Sequence, residues 1–183
     1  MKALVLAAGA ATAFVAIAAD ASVLTVGGSL ARACYQAADA HDARPEMLQT
    51  CDRAFEQEAL TERDRVATHI NRGILRMLRG DSPAAQSDFD QAVRFNPNQP
   101  EAWLNMAILK FNQGDNQRAQ ALFERAIRLR TQDPALAYLG RGLAYEQAGN
   151  VKAAYADLVR ASQLAPGWAL PKRELRRYQV VRR

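Results

Sequence analysis

Residues 66–167 repeat themselves with a period of 34 to 35 residues. Units open at Val66, Pro100 and Ala135, and the one extra residue falls in the turn Thr131-Gln132-Asp133-Pro134. A period of that length is one small supersecondary unit copied along the chain. Such a unit cannot bury its apolar face alone, so the copies must stack into a continuous core. The columns of the alignment say how. Gly73, Ala107 and Gly142 share one column, Ala85, Ala119 and Ala154 a second, and Ala92, Ala126 and Ala161 a third. A fourth holds Phe89, Phe123 and Leu158. Two helices approach closely only where their facing side chains are small, and a large residue beside them fills the remaining space. Between the two halves of each unit stand Gly80-Asp81, Gly114-Asp115 and Gly149-Asn150. Gly ends a helix in the left-handed conformation, and Asp or Asn caps the next by accepting orphan backbone N–H groups. Pro83 suits the first turn of the helix it opens. The spacing predicts helix pairs at 66–79 and 82–95, 100–113 and 116–130, and 135–148 and 151–164.

The pattern resembles the tetratricopeptide-repeat family, with its small-residue, aromatic and proline positions. Trp103 and Tyr138 stand where that family often carries a large aromatic, and Pro97 and Pro166 stand near the unit ends. His69 departs from the aromatic position in the first unit. The resemblance implies an all-α, right-handed solenoid of helical hairpins, in units 66–99, 100–134 and 135–167. Composition agrees: 49% of residues are hydrophobic and 23% charged, with seven prolines and ten glycines, a globular profile rich in helix formers. Upstream, 31–40 and 46–60 read as a degenerate helix pair inside an N-terminal segment 22–65, with Cys51 and Phe55 on the Ala and Phe columns. Downstream, Trp168 to Tyr178 reads as a capping helix within 168–183, interrupted at its start by Pro171.

The family's ribbon implies an inner face lined by the first helix of each pair. Here that face is apolar: Ile70, Ile74, Leu104, Ile108, Leu139 and Leu143. Asn71, Asn105, Asn112 and Glu146 add polar points. These residues either receive a partner or pack against the array's own helices. The family's carboxylate-gripping subgroup places Lys, Asn and Arg on this face. Asn105 matches its middle Asn, but Ile70, Ile74, Leu136 and Gly140 occupy the other key positions, so a clamp of that kind is not expected. An open apolar strip marks a partner site unless something covers it. Ser22-Val23-Leu24-Thr25-Val26, apolar and prone to extension, is a candidate cover.

Lys2 followed by an uncharged run from Ala3 to Ala19, then Ala19-Asp20-Ala21, has the layout of a secretory signal peptide over residues 1–21, cut before Ser22. The competing reading is an uncleaved anchor, although the run lies near the lower limit for a bilayer span. Export would place Cys34 and Cys51 where disulfides persist. The two cysteines read as a bridge or, failing that, as small core residues. Neither His41 nor His69 completes a metal set with them, and neither a metal nor any other cofactor is expected.

No nucleophile elbow, phosphate loop, metalloprotease helix or Cys-x-x-Cys is present, so no catalytic residues are assigned and an enzyme is not expected. Arg79-Gly80-Asp81-Ser82 is helix punctuation that coincides with an adhesion tetrapeptide. The net charge of +5 resides in the tail, where Lys172, Arg173, Arg176, Arg177, Arg182 and Arg183 face only Glu174. Such a tail is a solvated end or a contact for an anionic surface or acidic partner. The expected function is an exported, periplasmic or secreted scaffold that binds another protein or peptide in a concave groove. The alternative is a peripheral binder of anionic surfaces, a membrane included, acting through the tail. Nucleic acid is not the expected partner.

Overall fold

The computed structural model describes residues 2–6 and 29–182, with side chains for 30–178. Eight helices form four antiparallel pairs in chain order: α1 (Ser29–Asp39) with α2 (Pro45–Gln57), and α3 (Glu62–Leu78) with α4 (Ser82–Phe95). Next come α5 (Pro100–Asn112) with α6 (Asn116–Arg128), and α7 (Pro134–Gln147) with α8 (Val151–Leu164). A short α9 (Ala169–Leu175) packs on α8. The first helices of consecutive repeats also touch, α3 on α5 and α5 on α7, which makes the array a solenoid.

The punctuation works as the sequence predicts. Gly80, Gly114 and Gly149 have φ of 80°, 78° and 78°, the left-handed region that ends a helix. Asp81, Asp115 and Asn150 then accept hydrogen bonds from the backbone N–H of Ala84, Arg118 and Ala153. The small-residue and Phe/Leu columns of the second helices, from Ala85 to Ala161, are fully buried. A Cβ built on Gly73 would lie 2.5 Å from the Phe89 ring, so the first repeat closes only because that position lacks a side chain. On Gly140 a Cβ would clash with Phe123 of the preceding repeat in the same way.

Several boundaries differ from the sequence reading; α2 ends at Gln57 rather than Leu60, and two other shifts change the fold. Helix α3 begins at Glu62 rather than Val66, because the Thr61 hydroxyl accepts from the Asp64 N–H and starts the helix a turn earlier. The terminal helix stops at Leu175, and Tyr178–Arg182 continues as a strand, β2. This aromatic and β-branched stretch, Tyr178-Gln179-Val180-Val181-Arg182, favours extension over helix. Its antiparallel partner is β1 (Lys2–Leu6), with Leu4 opposite Val180. The segment Ser22–Val26 and most of the apolar run lie outside the described residues.

Candidate partner-binding face

The first helices bring the predicted inner-face residues into register, one per turn and one per repeat. They do not leave them open. Ile70, Leu104, Ile108 and Leu139 are fully buried, and Ile74 and Leu143 nearly so. Asn71 and Asn105 are also fully buried. Asn112 is exposed at the end of α5. Glu146 is largely buried and already engaged: the Tyr178 hydroxyl donates to its Oε2 at 2.7 Å, and an Arg177 nitrogen lies 2.6 Å from Oε1. Burial, followed by that hydrogen bond to the Glu146 carboxylate, pushes the Tyr178 phenol well above its ordinary range.

The two buried amides are in unlike states from ordinary core residues. Among the described residues, neither Nδ2 nor Oδ1 of Asn71 has a hydrogen-bond partner. Asn105 donates through Nδ2 to the Glu101 carbonyl at 2.8 Å, yet among the same residues its Oδ1 is unpartnered. Leaving a buried amide unsatisfied costs about 1–3 kcal/mol, and here the same column does so in adjacent repeats.

Two charged networks escaped the sequence reading. In the first repeat, Asp88 on α4 is almost fully buried and accepts from Arg72 and Arg76 of α3, with His69 Nδ1 at 3.1 Å. Arg72 also reaches Asp52 of α2 at 2.7 Å, so the network ties the N-terminal pair to the repeats. Burial raises the Asp88 pKa, but the His69 and Arg72 hydrogen bonds and the charges of Arg72 and Arg76 outweigh it, leaving the carboxyl below its ordinary range. In the third repeat, Arg141 forks onto Asp157 at 2.7 and 2.9 Å and also pairs with Glu124. The Asp157 hydrogen bond raises the Arg141 pKa. Arg72 and Arg141 share one column and Asp88 and Asp157 another; the middle repeat has Met106 and Leu122 there. That joint exchange of a charge pair for an apolar pair was the available signal.

Among the tail cations, Arg173 and Arg177 pair with the buried Glu174, and Lys172 donates to the Pro166 carbonyl. Arg176 is exposed. The side chain of Arg182, and Arg183 altogether, lie outside the described residues. The structure joins Cys34 of α1 to Cys51 of α2, with Cα atoms 4.9 Å apart. His69, at the departing aromatic position, lies between a tilted Phe55 ring and a stacked Phe95 ring and fills the place of an aromatic ring.

At the edge where α3 and α5 begin lies a cavity of about 470 Å³ that sequence reasoning did not anticipate. Glu101, at its wall, is buried and accepts from Gln99 Nε2, the Gln132 N–H and the Thr131 hydroxyl. Those bonds hold the turn that carries the extra residue.

Residues 104–167 match the tetratricopeptide-repeat family model. Solved structures of the same fold include MamA, with a TM-score of 0.63 at 19% identity over 78% of this chain and 80% of that one. The first tetratricopeptide-repeat domain of Spaghetti (RPAP3), bound to the HSP90 peptide SRMEEVD, gives a TM-score of 0.58 at 21% identity over 61% of this chain and 88% of that one. A chain of the APC/C hetero-tetramer Cut9–Hcn1 gives 0.59 at 21% identity, over 72% of this chain and 24% of that one. No curated protein matches. The fold is thus that of the tetratricopeptide-repeat solenoids, and residues 104–167 carry the repeat itself.

Proposed function

We propose that the array binds an extended segment of another protein along the inner face of α3, α5 and α7, and that Asn71 and Asn105 take hold of that segment's main chain. The carrying observation is the pair of buried amides, one repeat apart, with unpartnered atoms. Each can exchange hydrogen bonds with a peptide group, and the flanking apolar residues would receive its side chains. A related fold holding a short peptide supports the reading. Because the strip is covered, the face must be uncovered before a partner enters, and association should be slower than the ordinary docking of two preformed surfaces. Export completes the proposal: the layout of residues 1–21 and the juxtaposition of Cys34 and Cys51 both suit an oxidising compartment. The tail alternative draws less support, since Arg173 and Arg177 are occupied by acids of the same chain.

Asn71→Leu tests the assignment. Replacing an unsatisfied buried amide by an apolar side chain of similar size should raise Tm by about 2–4 °C, from about 1 kcal/mol regained. The same change should abolish affinity capture of the partner that the wild-type chain retains, read by mass spectrometry. A lowered Tm would mark Asn71 as a bonded core residue, and unchanged capture would move the binding surface elsewhere.

A further inference from the structure

We propose that the cavity at the leading edge of α3 and α5 is a subsite for one acidic side chain of the bound segment. This rests on the inner face being the partner-binding surface, and it adds what kind of residue that partner carries there. The volume of about 470 Å³ falls within the range of ligand pockets rather than packing defects. Arg63 and Arg130 line it, one from the start of α3 and one from the turn after α6. Both are exposed, and among the described residues neither has a carboxylate within ion-pairing distance of its guanidinium. Arg72, Arg76 and Arg141, by contrast, are each paired with acids of the same array.

Backbone geometry points the same way. Arg130 sits at φ 62°, a left-handed conformation that Gly or Asn adopts more readily than Arg. The turn around it is fixed from below by Glu101, whose two oxygens are taken up by Gln99, Thr131 and Gln132. That carboxylate is bonded within its own turn rather than to either arginine, and the two guanidiniums remain for an incoming group. Guanidinium forks match a carboxylate in plane and in spacing. The apolar Val66 and Pro100 on the same wall suit the methylenes that carry it. Glu62 and Glu101 balance the two arginines in charge, which opposes a polyanion such as nucleic acid and leaves room for a single carboxylate in direct contact with a guanidinium. The site also adjoins the proposed peptide track. Val66 lies one helical turn before Ile70, and Glu101 one turn before Asn105, so a segment held by the two asparagines passes within a side chain's length of the cavity.

The test uses the full chain and a capped peptide, acetyl-Ala-Leu-Glu-Leu-Ala-amide, with its Gln analogue as the uncharged control. Binding is followed by ¹⁵N–¹H correlation spectra. The Glu peptide should shift the Gln99 and Gln132 signals saturably and bind about tenfold tighter than the Gln peptide, the margin of one charge-assisted contact near a surface. Arg63→Gln and Arg130→Asn should each weaken the Glu peptide by about tenfold and leave the Gln peptide unchanged. Asn is chosen at 130 because it keeps the left-handed turn. Glu62→Gln should tighten binding. Equal affinity for the two peptides, shifts confined to the Arg-rich C-terminal end, or no shift at about 10 mM peptide would each overturn the proposal. Loss of partner capture in Asn71→Leu without Glu-peptide binding removes the acidic subsite alone. Glu-peptide binding at the cavity with capture unaffected by Asn71→Leu removes the inner-face reading and leaves the cavity a free-standing carboxylate site.

Discussion

Asp157 and Arg141 pose a question that the chain has itself answered twice. At the same two columns the first repeat has Arg72 with Asp88, the third Arg141 with Asp157, and the second Met106 with Leu122. Burying a charge pair is costly, and an apolar pair of similar volume is often as stable or more so. The buried Asp157 and Arg141 should therefore be exchangeable together but not singly. Asp157→Leu leaves Arg141 in low dielectric with Glu124 as its remaining carboxylate among the described residues, and should lower unfolding stability by about 3 kcal/mol in urea melts. Adding Arg141→Met, which rebuilds the middle repeat's pair, should recover most of that loss. A double variant as unstable as the single one would show that the network fixes geometry the apolar pair cannot. In the first repeat the same exchange is blocked, because Asp88 also serves His69 and Arg76.

At the scale of elements, the N-terminal hairpin is the weak member of the array. Helices α1 and α2 lack the Gly-Asx punctuation; His41, at φ 52°, and Arg44 stand where the later pairs have Gly and a capping side chain. Three contacts compensate. Glu58 accepts from the N–H groups of Leu30 and Ala31 at the start of α1, Arg72 reaches Asp52, and Cys34 meets Cys51. A bridge closing a loop of 17 residues contributes about 3 kcal/mol. Alkylation of the unfolded, unreduced protein should label neither thiol. After reduction, hydrogen exchange should accelerate in α1 and α2 first, with α5 to α8 still protected. Full labelling before reduction would show two core thiols and no bridge.

For the whole molecule, the two ends of the chain are brought together. Strand β1, drawn from the segment read as a signal peptide, pairs with β2 beyond the last helix, and β1 lies against α8. Cleavage before Ser22 would remove β1 and leave β2 an unpaired edge. Protein recovered outside the cytoplasm should have an intact mass lacking residues 1–21, and the amides of Val180 and Val181 should exchange rapidly in it. A mass that includes Met1 or Lys2, together with protected Val180 and Val181 amides, would instead make the N-terminal strand a permanent part of the fold.

The 34-to-35-residue period, the small-residue columns and the three Gly-Asx pairs were enough to determine the fold, because they encode contacts within one unit or between neighbours. Those contacts are local, and local chemistry is written in local sequence. Helix ends followed for the same reason, and the early start of α3 was missed only because Thr61 lies outside the repeat. The cap boundary failed where β2 found a partner more than 170 positions away. The inner-face residues form a column in the sequence, but a column does not say whether its face is covered; the complete burial of Ile70, Leu104 and Leu139 emerges only in the folded chain. The cavity flanked by Arg63 and Arg130 is likewise invisible in sequence. It exists because Glu101 pins a turn thirty residues downstream, bringing together two arginines that no repeat alignment places in one column.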